Sequence, residues 1–152
     1  VGIASEGVGE EMNLLDLREE EKCKVALFTA DMVLESVEEQ DLDYDYAKNA
    51  IKLCWDWMEN KKISKIEICE KISSNDKCLA DIVLDIEDVE IANKYASIMI
   101  CVSYVAWQAY NYDEDYNYPQ DLECIDDEYF EELIDCIMYA KARNKKVTVI
   151  II

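Results

Sequence analysis

Ile91-Ala-Asn-Lys-Tyr95-Ala-Ser-Ile98-Met-Ile-Cys-Val102-Ser-Tyr104-Val105-Ala-Trp107-Gln-Ala109-Tyr110-Asn-Tyr112 is the stretch on which the fold turns. Its apolar positions Ile91, Tyr95, Ile98, Val102, Val105, Ala109 and Tyr112 recur at alternating steps of four and three, the spacing of one helical face. No residue from Tyr95 to Tyr112 is charged, so the remaining faces are also suited to burial. These eighteen uncharged residues reach the lower limit of a membrane span. Ser97, Ser103, Gln108 and the tyrosines are poor lipid-facing material, which favours a helix over about 89–112 at the centre of a soluble domain.

The flanking segments repeat the period. Cys23, Leu27, Ala30, Leu34 and Val37 predict a helix near Glu19–Glu39, and Ala47, Ile51, Cys54 and Met58 one near Tyr44–Asn60. Ser64 followed by Glu67 has capping-box spacing for a short third helix. Asn75 or Asp76 is expected to cap a fourth, ending around Asp85–Asp88. A loop over Asp113–Pro119 follows the central helix. A last helix near Asp126–Arg143 directs Phe130, Leu133, Ile134, Ile137 and Met138 inward, and its basic end (Lys141, Arg143, Lys145, Lys146) suits the helix dipole. All three glycines lie in the first nine residues and the only proline is Pro119, so helix breakers are almost absent. The expectation is an all-α single domain, five or six helices over residues 12–152, behind a flexible leader, 1–11. The apolar tail Val147–Ile152 is expected to be covered, as a lone strand, a packed extension or a homodimer contact.

Charge narrows the function. The net charge of −20 on 152 residues repels nucleic acid and anionic membranes and draws basic partners. The chain has no histidine, which removes Ser–His and Cys–His catalytic pairs and His-containing metal sites. The seven cysteines are never closer than nine residues, so no zinc ribbon or Cys-x-x-Cys motif exists; an odd number without a signal peptide reads as the cytoplasm.

Two acidic clusters resemble calcium loops only at their start. Asp113, Asp115 and Asn117 fit, but Tyr118 stands where the sharp turn needs glycine and Cys124 where a bidentate glutamate belongs; Asp41, Asp43 and Asp45 fail in the same way. Glu128/Glu132 and Asp127/Glu131 pair at helical spacing and read as a solvated face. No catalytic motif, cofactor loop or metal site is expected.

Aromatic rings are the remaining signal. Trp55 and Trp57 lie about 200° apart on a helix, so one packs in the core and the other is partly exposed. Trp107 reads as core. Five of the ten tyrosines fall between Tyr104 and Pro119, at the start of a region (Tyr95–Ala140) with eleven acidic residues and no lysine or arginine. The loop there is too acidic to bury. Tyr112, Tyr116 and Tyr118 are therefore the candidate contact rings, with Asp113, Glu114, Asp115, Asp126, Asp127, Glu128, Glu131 and Glu132 as candidate carboxylates for a basic partner.

Cys54-Trp55-Asp-Trp57-Met-Glu59 on one helix, Tyr104-Val-Ala-Trp107-Gln-Ala-Tyr110 on a later one, Pro119 and the acidic helix from Asp126 to Asp135 together resemble the immunity protein 6 family of bacterial polymorphic toxin and contact-dependent inhibition systems. The resemblance runs from about Tyr44 to Ile137. It implies a small, mainly helical, non-enzymatic cytosolic protein that neutralises a cognate toxin domain, often a nuclease. Occlusion of a basic groove by the acidic surface is the mechanism this suggests. The alternative is a helical adaptor or nucleic-acid mimic, and a metal-carboxylate enzyme is a third, weaker one.

Overall fold

The computed structural model describes residues 16–144, with side chains through residue 135, and holds six α-helices and no strand among them. They are α1 (Glu19–Glu35), α2 (Tyr44–Asn60), α3 (Lys65–Ile72), α4 (Leu79–Asp85), α5 (Val89–Tyr112) and α6 (Asp127–Asn144), with one 3-10 turn at Gln120–Leu122. The all-α reading and the central helix are as expected. The leader 1–11, the tail Val147–Ile152 and the inward positions Ile137 and Met138 lie outside the described residues or side chains, as do the charged groups of the basic end.

Local chemistry sets the helix ends. The Ser64 hydroxyl accepts from the Ile66 N–H at 3.1 Å and Glu67 accepts from the Ser64 N–H at 3.4 Å, so α3 opens with the expected reciprocal cap. Asp88 caps α5 by accepting from Ile91 N–H at 3.1 Å. Asp126 does the same for α6, accepting from Tyr129 N–H at 2.8 Å. Two boundaries differ from the periodicity. α1 stops at Glu35 rather than Glu39, where the Ser36 hydroxyl donates to the Val33 carbonyl and the chain turns, although Val37 beyond it stays buried. α4 begins at Leu79, after Cys78, and neither Asn75 nor Asp76 caps it. Asp76 N–H is instead committed to the Ser74 hydroxyl in a local turn at 3.2 Å.

α5 touches every other helix. Tyr95, Ile98, Val102 and Val105 are fully buried along it, meeting Leu27 and Ala30 of α1, Ile51 and Cys54 of α2, Ile68 of α3 and Leu79 of α4 in one core. The pattern loses its grip at the two ends, since Ile91 is half-buried and Tyr112 is 60% exposed. The hydroxyl of Tyr95 finds a partner at the core's edge, donating to Asp41 at 2.7 Å and so tying the α1–α2 turn to α5.

One polar junction crosses this core. Asp127, the first residue of α6, accepts from the Lys22 ammonium of α1 at 2.9 Å and from the Tyr104 hydroxyl of α5 at 2.6 Å. The Tyr104 ring stacks on Phe130 of α6 with centroids 4.1 Å apart and planes 16° apart. Burial, and then the hydrogen bond to Asp127, hold the Tyr104 hydroxyl far above its ordinary pKa, so it stays a donor. A second polar contact lies between α1 and α2, where the Trp55 indole donates to Asp31 at 3.2 Å. Burial raises the Asp31 pKa, and the indole hydrogen bond offsets only part of that shift.

The junction is asymmetric. The Lys22 side chain is 8% exposed, whereas Asp127 is 33% exposed and keeps access to water. Asp127→Asn, which strands a buried ammonium, is expected to cost about 2–3 kcal/mol. Lys22→Met should cost less, because the stranded group is then the wetter one. Urea titration of both variants checks the order, and an equal or reversed ranking would contradict the asymmetry. For Asp31 the folded pKa lies above the unfolded value, so ionisation opposes folding at neutral pH. Asp31→Asn keeps an acceptor for the indole and is expected to hold or raise Tm at pH 7. That advantage should shrink as pH falls through the Asp31 pKa; thermal melts across pH 4–7 (a range of about three units) read it directly.

Candidate functional site

A cleft of about 670 Å³ opens where the start of α1, the ends of α2 and α5 and the start of α6 converge. The last turns of α5 present Trp107, Gln108, Asn111 and Tyr112 along one wall. Trp57, Met58 and Lys61 close the α2 side, and Tyr116 reaches in from the following loop. The α1 side carries Glu19 and Glu20 over a floor at Cys23, with Asp127 at the junction with α6. Of the residues singled out in the sequence, Tyr112, Tyr116 and Asp127 come together here.

The rings form two sets. Trp57 meets Tyr112 edge-to-face, with centroids 6.0 Å apart and planes at 88°. Trp107 contacts Tyr104 at 5.7 Å and Tyr118 at 6.3 Å, and Tyr118 in turn contacts Tyr110 and Tyr116. Trp57 is the buried member of the α2 pair and Trp55 the half-exposed one, as their spacing predicts, but Trp107 is only half-buried rather than core. Tyr112 and Tyr116 are exposed at 60% and 64%. Tyr118 departs from the expectation for an acidic loop. It is half-buried, its hydroxyl donating to Asn111 and its ring seated among Trp107 and Tyr110.

A cation already occupies part of the aromatic wall. Lys61 ends α2 in the left-handed region (φ 59°), a conformation that costs a non-glycine residue about 1 kcal/mol or more. Its ammonium donates to the Met58 carbonyl at 3.0 Å and lies 4.7 Å from the Trp57 ring centre and 5.4 Å from that of Tyr112. Cation–π attraction to two rings offsets the backbone cost.

The acidic residues separate into two groups. Within residues 95–140 no base opposes them, but the fold supplies bases from elsewhere. Lys65 of α3 bridges Asp113 at 2.9 Å and Asp115 at 3.5 Å, and Lys22 of α1 holds Asp127. The hydrogen bond to Asp113 holds Lys65 above its ordinary pKa. Asp113 and Asp115 are thus engaged by a side chain 48 residues or more away, which no local pattern could reveal. Glu114, Glu128 and Glu132 are exposed and Glu131 is half-buried; none makes an ion pair among the described residues. Asp126 is exposed and serves as the α6 cap.

Sequence reasoning missed Glu19, Glu20, Trp57, Lys61, Trp107 and Gln108 as parts of one site. Trp57 and Trp107 carried a signal in their aromatic character but not in their position. The two glutamates lie far from the tyrosine cluster in the chain and only packing of α1 on α5 joins them.

Burial pushes Cys23 and Cys101 up to about 12 and Cys69 up to about 11, and raises Cys54 as well, so these groups are protonated at neutral pH. Among the described residues no group of three or more Asp, Glu or Cys side chains is arranged to hold a metal ion, and no helix is long and apolar enough to cross a membrane.

Residues 21–140 match the family described as Immunity protein Imm6. No curated protein and no solved structure matches the chain. The match runs from the first turn of α1 into α6 and covers well over half the sequence. The chain therefore belongs to the Imm6 family of immunity proteins, which implies that it binds a cognate toxin.

Proposed function

We propose that this immunity protein neutralises a nuclease toxin domain in the bacterial cytoplasm by covering its basic surface, without catalysis of its own. The observation that carries this reading is the pair of exposed rings, Tyr112 and Tyr116, at the mouth of a cleft beside carboxylates that make no ion pair among the described residues. Large aromatic side chains held by neighbours lose little entropy on binding and dominate interface energies. A net charge of −20 supplies the steering. A nuclease must present lysines and arginines to phosphate, and such a surface is the electrostatic complement of this one.

The binding face comprises the loop from Tyr112 to Tyr118 and the outer face of α6. Glu128, Glu131, Glu132 and Asp135 recur at steps of three and four, and so line one side of that helix. Asp113, Asp115 and Asp127 contribute less than their number suggests, since each already has an internal cation. Free carboxylates need no such exchange. Six described cysteines are free thiols, in keeping with a reducing compartment.

The toxin domain encoded beside this protein is the partner to test. The association rate constant is expected to fall roughly tenfold or more between low and high salt, with the dissociation rate moving far less. Tyr116→Ala should cost about 2 kcal/mol of affinity, while the combined Glu114→Lys, Glu128→Lys and Glu132→Lys variant should lose protection in a co-expression growth assay. A salt-independent association rate, together with intact protection by the triple variant, would remove this face from consideration.

A further inference from the structure

We infer that the cleft between α1, α2 and α5 is a receptor for one arginine side chain of the partner; this rests on the reading of the protein as a binder of a basic toxin domain.

The argument begins at Gln108, which is 4% exposed and lines the cleft. Its amide nitrogen donates to the Tyr104 hydroxyl at 2.8 Å. That orientation is dictated, because the single hydroxyl hydrogen of Tyr104 is committed to Asp127 at 2.6 Å and its oxygen can only accept. The carbonyl oxygen of Gln108 is therefore left over. It accepts from no donor among the described residues, and since no buried side-chain oxygen or nitrogen there lacks a partner, it is open to water and free to accept from a donor that enters the cleft.

Three further features define the missing donor. Glu19 and Glu20 border the same cleft and make no ion pair among the described residues, since the guanidinium of neighbouring Arg18 is spent on Glu21 at 3.4 Å. Two full negative charges outweigh the roughly half positive charge of the α1 N-terminus on which they sit. Trp107 and Tyr116 add ring surface beside them. Lys61, held over Trp57 and Tyr112, shows that this wall accepts a cation, yet it is tied to the Met58 carbonyl and pairs with neither glutamate. The combination on offer is an uncommitted amide carbonyl, two carboxylates and aromatic surface. A guanidinium fits it better than an ammonium: it is planar, stacks on rings and offers five N–H donors in a fixed fork.

The test uses 15N-labelled full chain titrated with acetyl-Gly-Arg-Gly-amide and, separately, with the peptide carrying citrulline in place of arginine. The indole N–H signals of Trp57 and Trp107 are the reporters. Trp55, which is bonded to Asp31 and does not line the cleft, is the internal control. Saturable shifts of Trp57 and Trp107 with the arginine peptide, none with citrulline and none at Trp55 are expected. Glu19→Gln together with Glu20→Gln, both at exposed positions, should weaken peptide binding roughly tenfold and weaken the toxin complex as well. Equal shifts with citrulline, shifts at Trp55 as large as at Trp107, or a toxin affinity unchanged by the double variant would each overturn the inference. In that last case toxin binding itself survives, so loss of the cleft and loss of the toxin-binding reading are told apart. A wild-type chain that takes up the arginine peptide but binds no toxin sinks the toxin-binding reading and leaves the receptor standing.

Discussion

Asp127 constrains this molecule more than any other single group. One carboxylate joins α1 through Lys22, α5 through Tyr104 and α6 by being its first residue. Its place at a helix N-terminus sets its negative charge against the positive end of the α6 dipole. The junction also orders a sequence of consequences. Because Tyr104 must donate to Asp127, Gln108 must donate to Tyr104, and its carbonyl is left uncommitted at the cleft. Stability and site geometry thus share one hydrogen-bond chain. A carboxylate that reads in the sequence as one of many surface acids is spent on architecture.

The same economy governs the rest of the charge. With 35 acidic and 15 basic residues, cations are scarce, and several are placed where they do structural work. Lys65 binds the two aspartates after α5, Lys77 pairs with Asp43 at 2.9 Å, Lys94 donates to the Ser36 carbonyl at 2.9 Å, and Lys61 lies under two rings. Each ion pair cancels charge of both signs locally, so the excess of −20 is carried by the carboxylates left outside such pairs. Self-repulsion opposes the compact state, and the apolar burial around α5 has to outweigh it. The steep attraction for a basic partner follows from the same imbalance.

Much of the architecture was legible in the sequence, because a 3.6-residue period and a capping box are local statements. α2 starts and stops where its apolar spacing says, and α3 opens on Ser64 as its spacing with Glu67 requires. The failures are local competitions that periodicity does not see. Ser36 takes a carbonyl from the end of α1, and Ser74 holds the N–H of Asp76 in a local turn, so that α4 opens only after Cys78. In the site, Tyr112, Tyr116 and Asp127 were visible as aromatic or acidic residues in an acidic loop and helix. Lys65 facing Asp113, and Glu19 facing Trp107 across the cleft, were not. They depend on helix–helix packing across half the chain, which composition and spacing leave open.

The cleft's most useful physical property is the element that carries it. α5 is buried through Tyr95, Ile98, Val102 and Val105, and its last turns bring Trp107, half-buried, and Tyr112, exposed, to the cleft. One continuous helix is therefore both the centre of the fold and a wall of the site. Side chains on such an element are placed by the core rather than by a loop, and their neighbours restrict them further. Trp57 meets Tyr112 edge-on, and Tyr118, anchored on Asn111, meets Tyr116. Rings ordered before the partner arrives lose little further entropy on contact, so more of their burial appears as affinity. In the proposed complex this separates two tasks within one surface. There the solvated carboxylates of α6 act at a distance and set how fast a partner arrives, while the ordered rings and the Gln108 carbonyl act only on contact and set how long it stays. On that reading, sequence changes in the first group alter rate and salt response, and changes in the second alter which shape of cation fits.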